Sequence, residues 1–365
     1  MRITRETLMK IAADAAARRA RSAPDLLAAY LCGSLLDDEY LLGGTTDIDL
    51  VFVYAAQAPG RREVVRLTDE VHLDILHHDQ RAYRDTRKLR VHPWMGPVLN
   101  GCKVLYDPQH FMDFTQASVR GQYDRPDHVF ARARPLAEDA RQLWMGLNLG
   151  ETDAGPAEVD AYLRALEQAV NAICSLKGGP LSERRFLPHF QKRAEQLGRP
   201  GLYAGLLGLL GWPNIAAESP AVLEAWLPDW GAAYQAACGA GGVGAAGDAG
   251  DAGAAGETGV PAAAAGDPLL RLHPDRLHYY SAAFQFWLES GKAEAVLWPL
   301  ARTWTAAALR LPAGSPELAG WRAAFSRLGL AGLPFTGRID ALDAYLDGID
   351  EQLERWARAN GAWEE

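Results

Sequence analysis

Cysteine is scarce in this chain of 365 residues: Cys32, Cys102, Cys174 and Cys238 lie far apart, with no Cys-x-x-Cys among them. That spread argues against a disulfide framework or a zinc site and fits reduced thiols in a cytoplasmic protein. Long apolar runs are lacking as well. The longest candidate, Leu202 to Trp212, falls short of the roughly 20 residues that span a bilayer, so no membrane association is expected. The N-terminus carries Arg2 and Arg5, but Glu6 and Asp14 interrupt it and no apolar h-region follows. It reads as a first helix, with Ile3, Leu8, Ile11 and Ala15 on the buried side. Positive charge is in deficit, and a net charge of -9 argues against nucleic acid as a partner. No internal repeat is evident.

The stretch from Tyr30 to Val53 carries the chemistry. An apolar strand, Leu27 to Cys32, runs into a Gly33-Ser34 turn, and a second strand begins Asp47-Ile48-Asp49-Leu50. Strand side chains alternate between faces, so Asp47 and Asp49 share one face while Ile48 and Leu50 enter the core. Two like charges aimed at one point repel, and the arrangement becomes favourable when a divalent cation such as Mg²⁺ sits between the oxygens. The run Glu70 to Leu76 alternates as a further strand, with Val71, Leu73 and Ile75 on one face and His72 and Asp74 on the other. Asp74 can therefore stand beside the first two carboxylates. Gly33 lets backbone approach a ligand, and the turn's N–H groups with the Ser34 hydroxyl can donate to phosphate oxygens. These parts suit nucleotidyl transfer, in which a metal-held triphosphate meets an acceptor hydroxyl and pyrophosphate leaves.

The ordered set of Gly33-Ser34, twelve intervening residues, Asp47-Ile48-Asp49, and Asp74 on a later strand resembles the DNA polymerase β-like nucleotidyltransferase superfamily. The resemblance extends to about Pro108, since Cys102 to Asp107 looks like the closing strand of small members. It implies that Gly33 and Ser34 hold the triphosphate and that Asp47 and Asp49 bind metal. It also implies that Asp74 completes the metal site and helps to deprotonate the acceptor hydroxyl.

The connection Leu35 to Thr46 reads as a loop: Asp37, Asp38 and Glu39 face water, Gly43-Gly44 gives flexibility, and Thr45 and Thr46 present Asp47. Ala58 to Thr68 reads as a lead-in to the third strand, His77-His78-Asp79 as strand-end neighbours pointing in opposite directions, and Gln80 to Arg90 as one basic helix. Arg87 or Lys88 of that helix is a candidate for the β- and γ-phosphates. Beyond Pro108 the periodicity is helical, over Phe111–Gln122, Val129–Leu149, Ala157–Leu176, Leu197–Trp212, Ala293–Leu311, Trp321–Leu328 and Arg338–Asn360, with an aromatic-rich helix around His278 to Trp287. Glu183, Arg184 and Arg185 form either a structural salt bridge at a helix start or a group reaching a cleft. An Arg184-to-His189 ribonuclease pattern is set aside because Pro188 would disturb a helix there. Residues 238–267 are nearly all Gly and Ala and read as a disordered insertion.

The expected class is α+β: a small mixed β-sheet nucleotidyltransferase domain over 1–108, then an α-helical bundle over 109–237 and 268–365, split by that insertion. The expected activity is transfer of a nucleoside monophosphate, most simply AMP from ATP, to a hydroxyl of a small molecule, with Mg²⁺ as cofactor. Modification of a protein partner in a toxin–antitoxin-like pair, or a non-catalytic nucleotide-binding module, are the alternatives.

Overall fold

The computed structural model describes residues 3–150, 154–240 and 271–362. The fold is α+β, with one five-stranded mixed sheet in the N-terminal part and thirteen α-helices among the described residues. Two compact units meet in sequence between Asp124 and Arg125.

In the first unit the order is α1 (Arg5–Ser22), β1 (Leu26–Cys32), β2 (Thr46–Tyr54), β3 (Arg62–Arg66), β4 (Val71–Asp79), α2 (Thr86–Val91), α3 (Met95–Gly101), β5 (Lys103–Tyr106) and α4 (Phe111–Arg120). Spatially the strands run β3-β4-β2-β1-β5, with β2 and β4 parallel and the other pairs antiparallel. One face is closed by α1, whose Leu8, Ala12 and Ala16 pack on Ile48, Leu50, Leu73 and Ile75. These positions recur at helical spacing in α1 and at every second residue in the strands, as burial of one face requires. Ile11 and Ile3 sit at the margin of that cluster. Leu89, Met95, Leu99 and Met112 from α2, α3 and α4 cover the apolar end of the other face, against Tyr30, Val51 and Val53.

Three local expectations change. Ala58 to Thr68 contains an additional strand, β3, at the sheet edge; Arg-Glu-Val-Val-Arg is short and charged because its outer side faces water. The basic segment after β4 is two pieces, a 3₁₀ turn over Gln80–Tyr83 and then α2, because the Asp85 carboxylate accepts from the N–H groups of Arg87 and Lys88 and starts a new helix. The loop before β2 is also better ordered than its glycines suggest. Leu42 and Thr45 exchange backbone hydrogen bonds around Gly43 (φ 58°) and Gly44 (φ 76°), a tight turn that needs positive φ at both central residues.

His77 and His78 do point to opposite faces. His77 meets the Tyr54 hydroxyl at 3.1 Å, whereas His78 accepts from or donates to the Tyr83 hydroxyl at 2.7 Å, and Tyr83 in turn meets Tyr30 at 2.9 Å. This buried chain fastens the 3₁₀ turn to the sheet.

The second unit comprises α5 (Pro126–Asn148), α6 (Pro156–Ser175), α7 (Phe186–Gln196), α8 (Gly201–Leu209), α9 (Ala221–Ala240), α10 (Leu277–Glu289), α11 (Glu294–Arg310), α12 (Glu317–Leu328) and α13 (Phe335–Asn360). Pro188 does not disturb α7, because it falls in the first turn where its missing N–H has no helical partner to lose. Most of the aromatic stripes are core: Phe284, Trp298 and Trp304 are fully buried, and Phe186 stacks on Trp298 at 4.0 Å between centroids, while Phe286 is exposed. At the centre of the unit, Arg302 pairs with Asp160 at 3.1 Å and Glu167 at 2.9 Å, while Arg271 pairs with Glu167 and Glu183. The Gly/Ala-rich insertion expected over 238–267 lies outside the described residues from 241 onward; 238–240 complete α9. Among the described residues no helix is long and apolar enough to cross a membrane.

Two outcomes follow from these buried groups. Arg302→Ala removes the fully buried partner of both carboxylates, leaving Asp160 to Arg164 and Glu167 to Arg271, and should lower unfolding free energy by about 3 kcal/mol in urea titrations; a loss under about 1 kcal/mol would contradict the pairing. Burial, with the neighbouring His77 acting the same way, pushes the His78 imidazole down to about 4. The folded value lies below the unfolded one, so its contribution to stability is complete above about pH 6.5 and is lost as pH falls toward about 4. NMR titration should find the His78 ring neutral at pH 5.5, and a midpoint near the ordinary histidine value would refute it.

Candidate metal centre

The parallel pairing of β2 with β4 places Asp49 directly beside Asp74 and Asp47 beside His72. All four point to the face not covered by α1, because Ile48, Leu50, Leu73 and Ile75 occupy the other. One carboxylate oxygen from each of Asp47, Asp49 and Asp74 lies within 4.8 Å of the others. Asp47 and Asp74 are buried and Asp49 is half-buried. Three carboxylates so close in a desolvated setting repel strongly, and hard oxygen donors at this separation could hold a divalent cation.

β1 supplies the next part. Cys32 is the cross-strand neighbour of Asp49, and the chain turns immediately after it through Gly33, with φ 76° and ψ -164°. That conformation favours glycine, and space demands it too: a Cβ at Gly33 would fall 1.9 Å from Asp49 Oδ2. The turn backbone therefore rests against a cluster carboxylate. Ser34 opens a 3₁₀ turn over Ser34–Leu36, closed by hydrogen bonds from Leu36 N–H to the Gly33 carbonyl and from Asp37 N–H to that of Ser34. Leu35 anchors this turn in the core. Gly33 is exposed and Ser34 half-buried, so the cluster opens to solvent on this side. Burial, then the nearby charges of Asp49, Cys102 and Asp74, push the Cys32 thiol well up, which keeps it neutral.

Arg62, at the start of β3, is the residue whose role the sequence reading missed. It lies opposite Leu76, on the same face of the sheet as Asp74. Its guanidinium grips Asp74 with two nitrogens, Nε to Oδ1 at 2.6 Å and Nη2 to Oδ2. A bidentate pair fixes the plane of the carboxylate as well as its position. With the three aspartates ionised, one guanidinium leaves two negative charges in excess, the charge of one divalent ion. His72 is buried with Nδ1 3.6 Å from Asp47 Oδ1, which puts it beside the cluster as a neighbour of that carboxylate.

Arg87 and Lys88 open α2 with exposed side chains. Asp37, Asp38 and Glu39 are exposed, in keeping with a solvated loop. In the second unit, Arg184 lies 3.2 Å from the centroid of the Tyr279 ring and donates to the Tyr279 carbonyl, and Glu183 pairs with Arg271 and accepts from the Tyr280 hydroxyl. Those contacts are structural and internal to the helical unit.

Gly33→Ala should displace the Asp49 carboxylate and weaken Mn²⁺ binding about tenfold or more, read by electron paramagnetic resonance. Gly44→Ala is the matched control, since Gly44 also has φ 76° but has nothing within 4 Å of its would-be Cβ. It should cost about 1 kcal/mol of stability and leave Mn²⁺ affinity alone; equal effects of the two substitutions would reduce Gly33 to a turn residue. Neither a scan against protein-family models nor a search of curated proteins found a match to this chain.

Proposed function

We propose that the chain is a metal-dependent nucleotidyltransferase that moves a nucleoside monophosphate, most simply AMP from ATP, to a hydroxyl of a small molecule. The observation that carries this reading is the shared face of Asp47, Asp49 and Asp74, with the Gly33-Ser34 turn packed directly on Asp49. It is supported by the resemblance of the same residues to the DNA polymerase β-like nucleotidyltransferases.

Asp47, Asp49 and Asp74 would hold the Mg²⁺. A bound divalent ion offsets phosphate charge and stabilises the entering and departing oxygens. Gly33 leaves room for the triphosphate, and Ser34 with the turn N–H groups donates to its oxygens. Arg87 or Lys88 would meet the outer phosphates. In the reaction the acceptor oxygen bonds to the α-phosphorus, the bridge to the β-phosphate breaks with its electron pair leaving on pyrophosphate, and the acceptor proton passes to a carboxylate. Asp74 takes that role, and Arg62 orients its carboxylate. The deficit of positive charge suits a neutral or cationic acceptor, such as an aminoglycoside-like compound, over a polyanion.

Pyrophosphate release should appear with Mg²⁺, a nucleoside triphosphate and a pool of aminoglycosides, and should vanish in Asp49→Asn. Release only with cell lysate would replace the small molecule by a macromolecular acceptor. ATP binding with no release under either condition would remove the enzymatic reading.

A further inference from the structure

We infer that Arg5, the first residue of α1, is a positioning residue for the metal centre: it fixes the turn after β1 and, through Gly33, the carboxylate of Asp49. The inference rests on the metal-site reading above and adds to it a residue some thirty positions away in sequence.

The Arg5 side chain reaches the distal end of the Ser34–Leu36 turn. Nε donates to the Leu35 carbonyl at 3.1 Å and Nη2 to the Leu36 carbonyl at 2.7 Å. These carbonyls follow those of Gly33 and Ser34, which are taken up inside the turn by Leu36 N–H and Asp37 N–H. A short 3₁₀ turn does not continue its ladder, and a planar guanidinium with diverging N–H groups can satisfy two successive carbonyls at once. Because the donor is charged, each bond is stronger than a neutral one. Leu35 is fully buried in the core. The turn is thus held at two points, by an apolar side chain and by Arg5.

Its other end has no slack. The Gly33 backbone lies so close to Asp49 Oδ2 that even a methyl group would overlap it, so a shift of the turn toward the sheet moves the carboxylate and a shift away opens the contact. Arg5 consequently acts on the metal centre through packing, without touching it. The 3.7 Å approach of Arg5 to Asp38 is a separate matter: the Asp38 side chain is fully exposed, and such a pair contributes little.

The test compares the wild type with Arg5→Ala, Arg5→Lys, Asp38→Asn and Asp49→Asn. Mn²⁺ affinity is read by electron paramagnetic resonance, ATP affinity with Mn²⁺ by calorimetry, and integrity of the fold by thermal unfolding. Arg5→Ala should weaken Mn²⁺ and ATP binding by about tenfold each, Arg5→Lys should recover part of the loss, and Asp38→Asn should leave both unchanged. If Arg5→Ala does not fold, Arg5→Lys carries the comparison, with an intermediate loss in both affinities expected. A lower unfolding temperature with unchanged Mn²⁺ and ATP affinities overturns the inference, since it leaves Arg5 only the docking of α1. Wild type that binds Mn²⁺, with loss in Asp49→Asn and none in the Arg5 variants, rejects Arg5 alone. Wild type that binds no Mn²⁺ rejects the metal reading and Arg5 with it.

Discussion

Repulsion among Asp47, Asp49 and Asp74 is the constraint on which the first unit's architecture turns. Parallel pairing sets Asp49 beside Asp74, and the two-residue repeat of β2 adds Asp47 on the same face. That register cannot slip by one residue, because a slip would send the carboxylates into the apolar layer under α1 and bring Ile48 and Leu50 into the cleft. The hydrophobic core on one face therefore holds the charges together on the other.

The two units treat buried charge differently. In the helical unit Asp160, Glu167 and Glu183 are met by Arg302, Arg271 and Arg164, three charges of each sign. In the sheet unit three carboxylates gather on one face, and the guanidinium seen to pair with them, that of Arg62, fixes the plane of Asp74. An excess of clustered negative charge held rigidly by strand register suits a cation. The Gly33 turn, pressed on Asp49 and open to solvent, adds a place where phosphate oxygens can approach the same point.

Much of this was legible in the sequence, because β1 is a wholly apolar run, β4 alternates from Val71 to Ile75, and Asp47 and Asp49 interrupt the otherwise apolar β2. The shared face of Asp47 and Asp49 follows from that pattern, and Asp74 joins them through the parallel pairing of β2 with β4. Arg62 was not legible: its partner is set by how the edge strand β3 registers on β4, and a five-residue strand with three charges lacks the pattern that would reveal it. The break between the 3₁₀ turn and α2 depends on Asp85 as a cap, a local choice that the run of basic residues concealed. Pro188 misled in the opposite sense, since its effect depends on where α7 begins. Arg5 needed three dimensions, because the carbonyls it meets belong to a turn thirty residues later.

Anomalous diffraction from crystals soaked in Mn²⁺ tests the central claim most directly. A peak is expected at coordination distance from carboxylate oxygens of Asp47, Asp49 and Asp74, absent from crystals of Asp49→Asn. A well-ordered cluster with no peak at millimolar Mn²⁺, or a peak whose ligands exclude these three residues, would contradict it.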